Sequence, residues 1–102
     1  MNQLVQDNLA KLNELCVKYH VRRLELFGSA TKDNSDGAPN DLDFLVEFLS
    51  LRDGEHFDTY FGLLEELQIL FERPVDLVMT RAIKNQYFLK SVNQSRTVLY
   101  AA

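Results

Sequence analysis

The residues best suited to chemistry in this sequence are three aspartates, Asp41, Asp43 and Asp76, which fall in segments with the pattern of β-strands. A carboxylate in a strand goes against residue propensity and is costly to remove from water. Asp41 and Asp43 share one face of their strand, about 7 Å apart, where negative charges repel unless a cation lies between them. Magnesium accepts one or two carboxylates and fills its shell with water and phosphate oxygens. The pattern therefore predicts a magnesium site, although an Asp-x-Asp pair alone is also common on ordinary surfaces.

Gly28 and Ser29 follow the preceding strand and offer groups that suit an anion. Glycine lets the backbone approach a ligand closely, and serine adds a hydroxyl and an N–H group. If a helical turn begins here, its free N–H groups favour a phosphate. The alternative is a simple turn that ends a strand. The sequence lacks the Gly-x4-Gly-Lys-Ser/Thr spacing of a P-loop at this point.

The elements that must position these residues follow from hydrophobic periodicity. Leu24 and Leu26 alternate with charged residues, which predicts a strand with one buried face. The next strand has apolar side chains on one face, with Asp41 and Asp43 on the other. The predicted elements are helix 2–19, strand 21–27, strand 41–48, helix 56–71, strand 75–80, helix 83–92 and strand 97–100. We expect an α/β (α+β) domain with a mixed β-sheet of about four strands and helices packed on one face, its second and third strands joined by a right-handed crossover.

Length and charge restrict the classes of function. The chain has 102 residues, which suits a single domain over residues 1–102 and leaves little material for an elaborate pocket. We therefore expect that a partner chain or a second copy supplies part of the site in a hetero- or homo-oligomer. With 11 basic and 15 acidic residues the net charge is −4, so direct nucleic-acid binding is not expected.

The cysteine content and the hydropathy of the chain indicate the cellular compartment in which we expect the protein. Cys16 is the single cysteine, so an internal disulfide is excluded, and its place in a helical apolar pattern predicts a core residue. No apolar run approaches the roughly 20 residues that span a bilayer. We expect a cytoplasmic protein with no membrane contact.

The order of these features resembles the DNA polymerase β-like nucleotidyltransferase superfamily. Its signature is an apolar residue, Gly-Ser or Gly-Gly, a spacer of similar length, and Asp-apolar-Asp/Glu-apolar. Phe27-Gly28-Ser29, eleven intervening residues and Asp41-Leu42-Asp43-Phe44 match that signature. The segment 75–78, with Asp76, is similar to the strand that carries the third carboxylate of the superfamily. In length the chain resembles the minimal nucleotidyltransferases, which consist of the catalytic core without an added domain.

The resemblance implies an enzyme that binds ATP or another nucleoside triphosphate together with two magnesium ions. Carboxylates would be catalytic and would ligate the metal, and residues of the loop after the first strand would hold the phosphates. The implied carboxylates are Asp41, Asp43 and Asp76, and the implied phosphate contacts are Gly28, Ser29 and Lys32. An acceptor hydroxyl would attack the α-phosphate in line and release pyrophosphate, with the metal ions stabilising the attacking and leaving oxygens.

The resemblance also implies a partner. Minimal members are commonly the antitoxin half of a toxin–antitoxin pair, their partner is a helical HEPN-domain ribonuclease, and some transfer AMP to a tyrosine of that partner. A protein adenylyltransferase acting on a HEPN toxin is therefore the first hypothesis. An antibiotic nucleotidyltransferase is less favoured, because such enzymes usually carry an additional domain for the acceptor.

The segment after Ser29 departs from the family pattern. Many relatives have a small residue, an arginine and a glycine there, whereas this chain has Lys32 and Asp33 in place of the last two. Lysine lacks the bidentate fork with which arginine grips a phosphate. Asn40 also precedes Asp41 where serine is frequent. These departures keep a second hypothesis open, in which the chain is catalytically weak or inactive and neutralises its partner by occlusion.

Overall fold

The computed structural model describes residues 2–31 and 41–102. Within these residues, four strands form one mixed sheet, and helices pack against it. The predicted fold class, an α/β (α+β) domain, is confirmed. The elements in chain order are α1 (Gln3–Asp7), α2 (Leu9–Lys18), β1 (Val21–Phe27), a 3-10 turn (Gly28–Thr31), β2 (Leu42–Phe48), α3 (His56–Phe71), β3 (Val75–Met79), a 3-10 turn (Thr80–Ala82), α4 (Gln86–Asn93) and β4 (Thr97–Ala101).

The sheet has the strand order β3-β2-β1-β4. β1 pairs antiparallel with β2 on one side and with β4 on the other, whereas β2 and β3 are parallel. Parallel neighbours require a crossover connection, and α3 provides it. β2 carries Asp43, its parallel neighbour β3 carries Asp76, and Gly28 follows β1, so the candidate site residues lie on or next to these three strands.

The N-terminal helix is interrupted at Asn8, so the prediction of one continuous helix was wrong there. The Asn8 side chain donates to the carbonyl oxygen of Leu4 at 2.8 Å, which offers the backbone an alternative to the helical ladder. Asn2 caps α1, because its side-chain oxygen accepts from the N–H of Leu4 at 2.8 Å.

The main core lies between the sheet and the first three helices. The β2 side chains of Leu42, Phe44 and Val46 point into it and are fully buried. The remaining buried members are Val5, Leu12, Cys16, Val21, Leu24, Leu26, Ala30, Leu63, Leu67, Phe71, Val75 and Leu77. Burial raises the pKa of the Cys16 thiol to about 12, so the prediction of a core cysteine is confirmed.

The opposite face of the sheet is covered by α4. Val92 of α4 packs against Phe27 and Leu45 in a second, smaller buried cluster, and the ring of Phe88 meets Phe27 edge-on at 6.0 Å between centroids. The expectation of helices on one face thus describes α1 to α3, while α4 lies on the other. For the same reason β1 is buried on both faces, and the prediction that its charged residues are solvent-facing was wrong for Glu25.

Several element boundaries differ from the predicted ones. β2 begins at Leu42, so Asp41 lies just before the strand. α4 begins at Gln86 and not near position 83, because Asn85 caps it by accepting from the N–H of Tyr87 at 2.9 Å and of Phe88 at 3.2 Å. The helix predicted for 56–71 has the observed bounds His56–Phe71.

Among the described helices, none has the length and apolarity to cross a membrane.

Candidate active site

Two of the predicted carboxylates meet across the parallel strands. Asp43 of β2 lies directly opposite Asp76 of β3 in the strand register. Residues that face each other in a ladder project to the same side of the sheet, so both side chains occupy the face opposite the main core. Asp43 is partly exposed and Asp76 is exposed, so this end of the sheet is open to a ligand.

The charges at this end are close enough to affect one another. Burial raises the pKa of Asp43 above its usual range, and the negative charges of Asp76 and then Asp41 raise it further. The Asp41 side chain, exposed just before β2, therefore contributes to the same negative field. A cation placed among these carboxylates would relieve the repulsion.

Gly28 touches this cluster from the end of β1. Phe27 is the register partner of Asp43 across β1 and β2, so the next residue along β1 lies beside the carboxylate. Gly28 has a φ of 78°, a left-handed conformation that favours glycine. A Cβ atom at this position would lie only 2.8 Å from Oδ2 of Asp43. Glycine is thus required both by the backbone conformation and by the space that Asp43 occupies.

Ser29 follows within a short helical turn. The chain forms a 3-10 turn over Gly28–Thr31 directly after β1, which meets the condition under which the sequence predicts free N–H groups at this point. The hydroxyl of Thr31 donates to the carbonyl oxygen of Gly28 at 2.8 Å, and the N–H of Gly28 donates to Oγ of Ser95 at 2.9 Å. Ser29 itself is exposed and directly follows Gly28, the residue that adjoins Asp43. Lys32, the remaining predicted phosphate contact, lies outside the described residues.

A buried ion-pair network supports the same end of β1. Glu25 is only 2% exposed, and it accepts from Nη2 of Arg96 at 2.6 Å and from Nε of Arg96 at 3.3 Å. Arg23 adds a second cation at 3.3 Å. Burial acts to raise the pKa of Glu25, but the hydrogen bonds and charges of Arg96 and Arg23 outweigh it and hold the pKa below its usual range. Glu25 is therefore ionised and paired in the folded protein.

Sequence reasoning missed this network and the Ser95 contact. The partners are 67 and 71 residues apart along the chain, so no local pattern links them. One signal was present, namely a glutamate among apolar residues in a strand that proves to be central. A charged residue in such a strand is rarely tolerated unless it is paired.

Tyr60 was also missed as a contributor to the site. It lies on α3, and its hydroxyl donates to the carbonyl oxygen of Leu77, the residue that follows Asp76 on β3. Burial raises the pKa of Tyr60 above its usual range, and the charge of Asp76 adds to this effect. The side chain thus ties the crossover helix to the strand that carries Asp76.

The donor set fits a hard divalent cation. Carboxylate oxygens are the ligands that magnesium prefers, and the mutual repulsion around Asp43 is what such an ion would neutralise. Within residues 2–31 and 41–102, the structure has no group of three or more His, Cys, Asp or Glu side chains placed to bind a metal ion without other ligands. Magnesium commonly completes its shell with water and substrate phosphate oxygens, so a partial set of protein ligands is compatible with it.

The fold and the site together define a small α/β domain in which carboxylates of adjacent strands meet a glycine–serine turn. A family model described as polymerase beta, nucleotidyltransferase, matches residues 10–102. The chain belongs to the polymerase beta nucleotidyltransferase family. Members of this family generally use a divalent metal ion.

Two relatives from Methanocaldococcus jannaschii have names that assign them as protein adenylyltransferases. The first is 38% identical over 91 residues, which cover 88% of this chain and 89% of the relative. The second is 32% identical over 77 residues, which cover 76% of this chain and 75% of the relative. The chain is therefore a nucleotidyltransferase whose relatives are named as enzymes that modify proteins.

Solved structures share the fold at lower identity. A structure described as a minimal nucleotidyltransferase is 23% identical, with a TM-score of 0.68 and coverage of 95% of each chain. A toxin–antitoxin structure with AMP-PNP is 21% identical, with a TM-score of 0.67 and coverage of 93% of this chain and 74% of that one. The complex of a tri-AMPylated Shewanella oneidensis HEPN toxin with an MNT antitoxin contains a chain that is 21% identical, with a TM-score of 0.64 and coverage of 95% and 72%.

Proposed function

We propose that this chain is a magnesium-dependent protein adenylyltransferase that transfers AMP from ATP to a hydroxyl of a HEPN-domain toxin, and that it acts as the antitoxin in the cytoplasm. The observation that carries the proposal is the facing pair of Asp43 and Asp76 beside the glycine–serine turn at Gly28. The protein-adenylyltransferase names of two relatives support the reaction class. The toxin–antitoxin structures of the same fold support the partner class.

In this proposal the carboxylates bind the metal and accept a proton. Asp41, Asp43 and Asp76 would hold two magnesium ions, which neutralise charge on the phosphates and on the pyrophosphate leaving group when bound. The acceptor oxygen forms a bond to the α-phosphorus of ATP, and the bond from that phosphorus to the pyrophosphate oxygen breaks. Asp76 is exposed at the sheet edge and takes the proton that the acceptor hydroxyl releases.

The loop after β1 would hold the outer phosphates. The exposed Ser29 offers its hydroxyl beside the carboxylates, and the absence of a side chain at Gly28 leaves room for Asp43. The N–H of Gly28 already donates to Ser95, so the contribution of Gly28 to phosphate binding is its shape. We extend the phosphate contacts to Lys32, whose ammonium replaces the arginine common in the family.

A protein acceptor agrees with the surface of the chain. Phe57 and Phe61 of α3 are 69% and 48% exposed, and their rings lie 4.6 Å apart at the centroids. The ring of Phe61 also contacts that of Tyr60, whose hydroxyl donates to a carbonyl oxygen of the strand that carries Asp76. Exposed clusters of large apolar side chains mark sites where proteins associate. The net charge of −4 makes a nucleic acid a poor acceptor for the same surface.

The direct test is the transfer of labelled AMP. The purified chain is incubated with magnesium, ATP labelled on the α-phosphate and a candidate HEPN-domain toxin from the same organism, and label on that protein is measured. Asp41→Ala and Asp43→Ala are expected to abolish transfer while circular dichroism shows an unchanged fold. Asp53→Ala, which removes an exposed carboxylate away from the strands, is the matched control and should retain transfer. Transfer that survives in Asp41→Ala or Asp43→Ala would overturn the assignment.

Co-expression with the toxin separates catalysis from occlusion. If AMP transfer neutralises the toxin, Asp43→Ala should fail to protect cells although it still binds the toxin. If the variant protects as well as wild type, the chain acts as a binding module that covers its partner. The changed residues after Ser29, Lys32 and Asp33, are the feature that favours this second candidate.

A further inference from the structure

Gly28 is held at both of its backbone polar groups. Its N–H donates to Oγ of Ser95 at 2.9 Å, and its carbonyl oxygen accepts from Oγ1 of Thr31 at 2.8 Å. Glycine has the widest choice of backbone conformations, so a defined φ of 78° at this residue depends on such contacts. Because the conformation of Gly28 sets the direction of the following turn, these contacts also fix where Ser29 lies.

Ser95 is itself well fixed. It lies in the turn between α4 and β4, its N–H donates to the carbonyl oxygen of Val92 at 3.1 Å, and its own carbonyl oxygen accepts from Oγ1 of Thr97 at 3.1 Å. Val92 is buried against Phe27 and Leu45 on the face of the sheet that carries Asp43. The hydroxyl that receives the Gly28 N–H is therefore supported from both sides of the turn.

The next residue anchors this turn to β1. Arg96 contacts both carboxylate oxygens of Glu25, at 2.6 and 3.3 Å, and its Nη1 donates to Oδ1 of Asn93 at 2.8 Å. A two-point contact between a guanidinium and a buried carboxylate fixes direction as well as distance. Ser95 and Arg96 thus make adjacent contacts with the end of β1, one to the backbone of Gly28 and one to the side chain of Glu25.

We propose that Ser95 is a positioning residue for nucleotide binding, which acts by fixing Gly28 and thereby the direction in which Ser29 presents its hydroxyl and N–H. The Arg96–Glu25 pair holds Ser95 in register with the end of β1. Ser95 acts only through Gly28. This inference rests on the proposed function, because it takes the nucleotide phosphates to be the ligand of Ser29.

The test compares ATP affinity with turnover. Ser95→Ala removes the acceptor for the Gly28 N–H, and we expect the KM and the calorimetric Kd for ATP to rise about three- to tenfold, the worth of one net hydrogen bond. The kcat should be unchanged, since a contact that orients the bound nucleotide acts equally before and during reaction. Ser95→Thr keeps the hydroxyl and should restore the wild-type KM.

A second readout is independent of activity. The Gly28 amide should exchange its hydrogen faster in Ser95→Ala than in the wild-type chain, because the hydrogen bond that protects it is lost. Ser91→Ala is the matched control, since it removes an exposed serine hydroxyl from α4 and should change neither the KM nor the exchange rate.

The outcomes separate this inference from the proposed function. A wild-type chain that neither binds ATP nor transfers AMP would overturn both. If the wild-type chain binds ATP and transfers AMP, but Ser95→Ala has the same KM for ATP, only the positioning role of Ser95 would be overturned. If Ser95→Ala fails to fold, Arg96→Lys takes its place, since it keeps the charge opposite Glu25 but loses the two-point contact. An unchanged KM for ATP in that folded variant would then overturn the inference.

Discussion

Asp43 and Asp76 face each other across the parallel strands β2 and β3, and the carboxylate of Asp43 also fills the space that a side chain at position 28 would need. A single carboxylate is thus in contact with both halves of the candidate site, the acidic strand pair and the glycine–serine turn. Changes at Asp43, at Asp76 or at Gly28 should consequently affect one another.

Magnesium should stabilise the wild-type chain through Asp43. Without a divalent cation, Asp43→Asn should unfold at the same or a higher temperature than wild type, because it removes a charge that Asp76 and Asp41 repel. With magnesium at 100 times its dissociation constant, binding stabilises the wild-type fold by about 2.7 kcal/mol. Thermal unfolding with and without magnesium measures this, and an equal magnesium effect in Asp43→Asn would contradict the metal site.

Alanine at Gly28 should cost both stability and activity. Its φ of 78° carries a penalty of about 1–2 kcal/mol for a residue with a side chain, and the new Cβ meets Asp43 Oδ2 at 2.8 Å. Gly54→Ala is the matched control, because Gly54 has a φ of 87° but a Cβ atom at that position would have no neighbour within 4 Å. Urea unfolding should show a loss from backbone strain in both variants and an added loss in Gly28→Ala from the clash with Asp43, whereas AMP transfer should fall only for Gly28→Ala. Equal activity of the two variants would argue against the role of Gly28.

Acid should weaken the fold through Glu25. Its folded-state pKa is below its ordinary value of 4.5, so its ion pairs stabilise the fold above that pH and the stabilisation is lost as the pH falls through the folded-state pKa. Glu25→Gln should lower the free energy of unfolding at pH 7 by about 2 kcal/mol. In this variant the free energy of unfolding should also fall less steeply as the pH is lowered. Glu14→Gln, which alters an exposed pair with Lys11, should change it by less than about 1 kcal/mol. Urea titrations from pH 7 to pH 3 measure the difference, and parallel curves for Glu25→Gln and wild type would refute the assignment.

Removal of the Tyr60 hydroxyl should loosen β3 near Asp76. Tyr60→Phe leaves the carbonyl oxygen of Leu77 without its hydrogen bond, and we expect a loss of about 1 kcal/mol in the free energy of unfolding together with reduced AMP transfer. Tyr87 is 87% exposed, so Tyr87→Phe should leave stability unchanged. Indistinguishable stabilities of the two variants would show that the Tyr60 contact is unimportant.

The sequence contained more information about the elements than about their assembly. Hydrophobic periodicity gave the bounds of α3 and placed Asp43 and Asp76 on strands, because those signals are local. The interruption at Asn8 was missed because one side-chain hydrogen bond to Leu4 decides it. Strand pairing is not local, so the facing of Asp43 and Asp76 could be expected only through family resemblance.

The contacts that hold the candidate site in place are also non-local, so they could not be predicted from the sequence. Glu25 looked like a solvent-facing residue of a half-buried strand, because nothing near it in the sequence shows that α4 and the following turn cover that face. Its partner Arg96 becomes visible only once β4 is placed beside β1. The metal-binding and phosphate-binding roles of Asp41, Asp43, Asp76, Gly28, Ser29 and Lys32 stay predictions.

The contact between Gly28 and Ser95 joins residues that are 67 positions apart, and the Glu25–Arg96 pair spans 71. During synthesis, a nascent chain that already contains the aspartates and the glycine–serine turn still lacks the side chains that hold the turn in place. Contacts of such large sequence separation form slowly, because the entropy of closing the long loop between the partners opposes them. Full affinity for nucleotide should therefore arise only after β4 has docked onto β1, so a partly translated chain should bind ATP more weakly than the complete one.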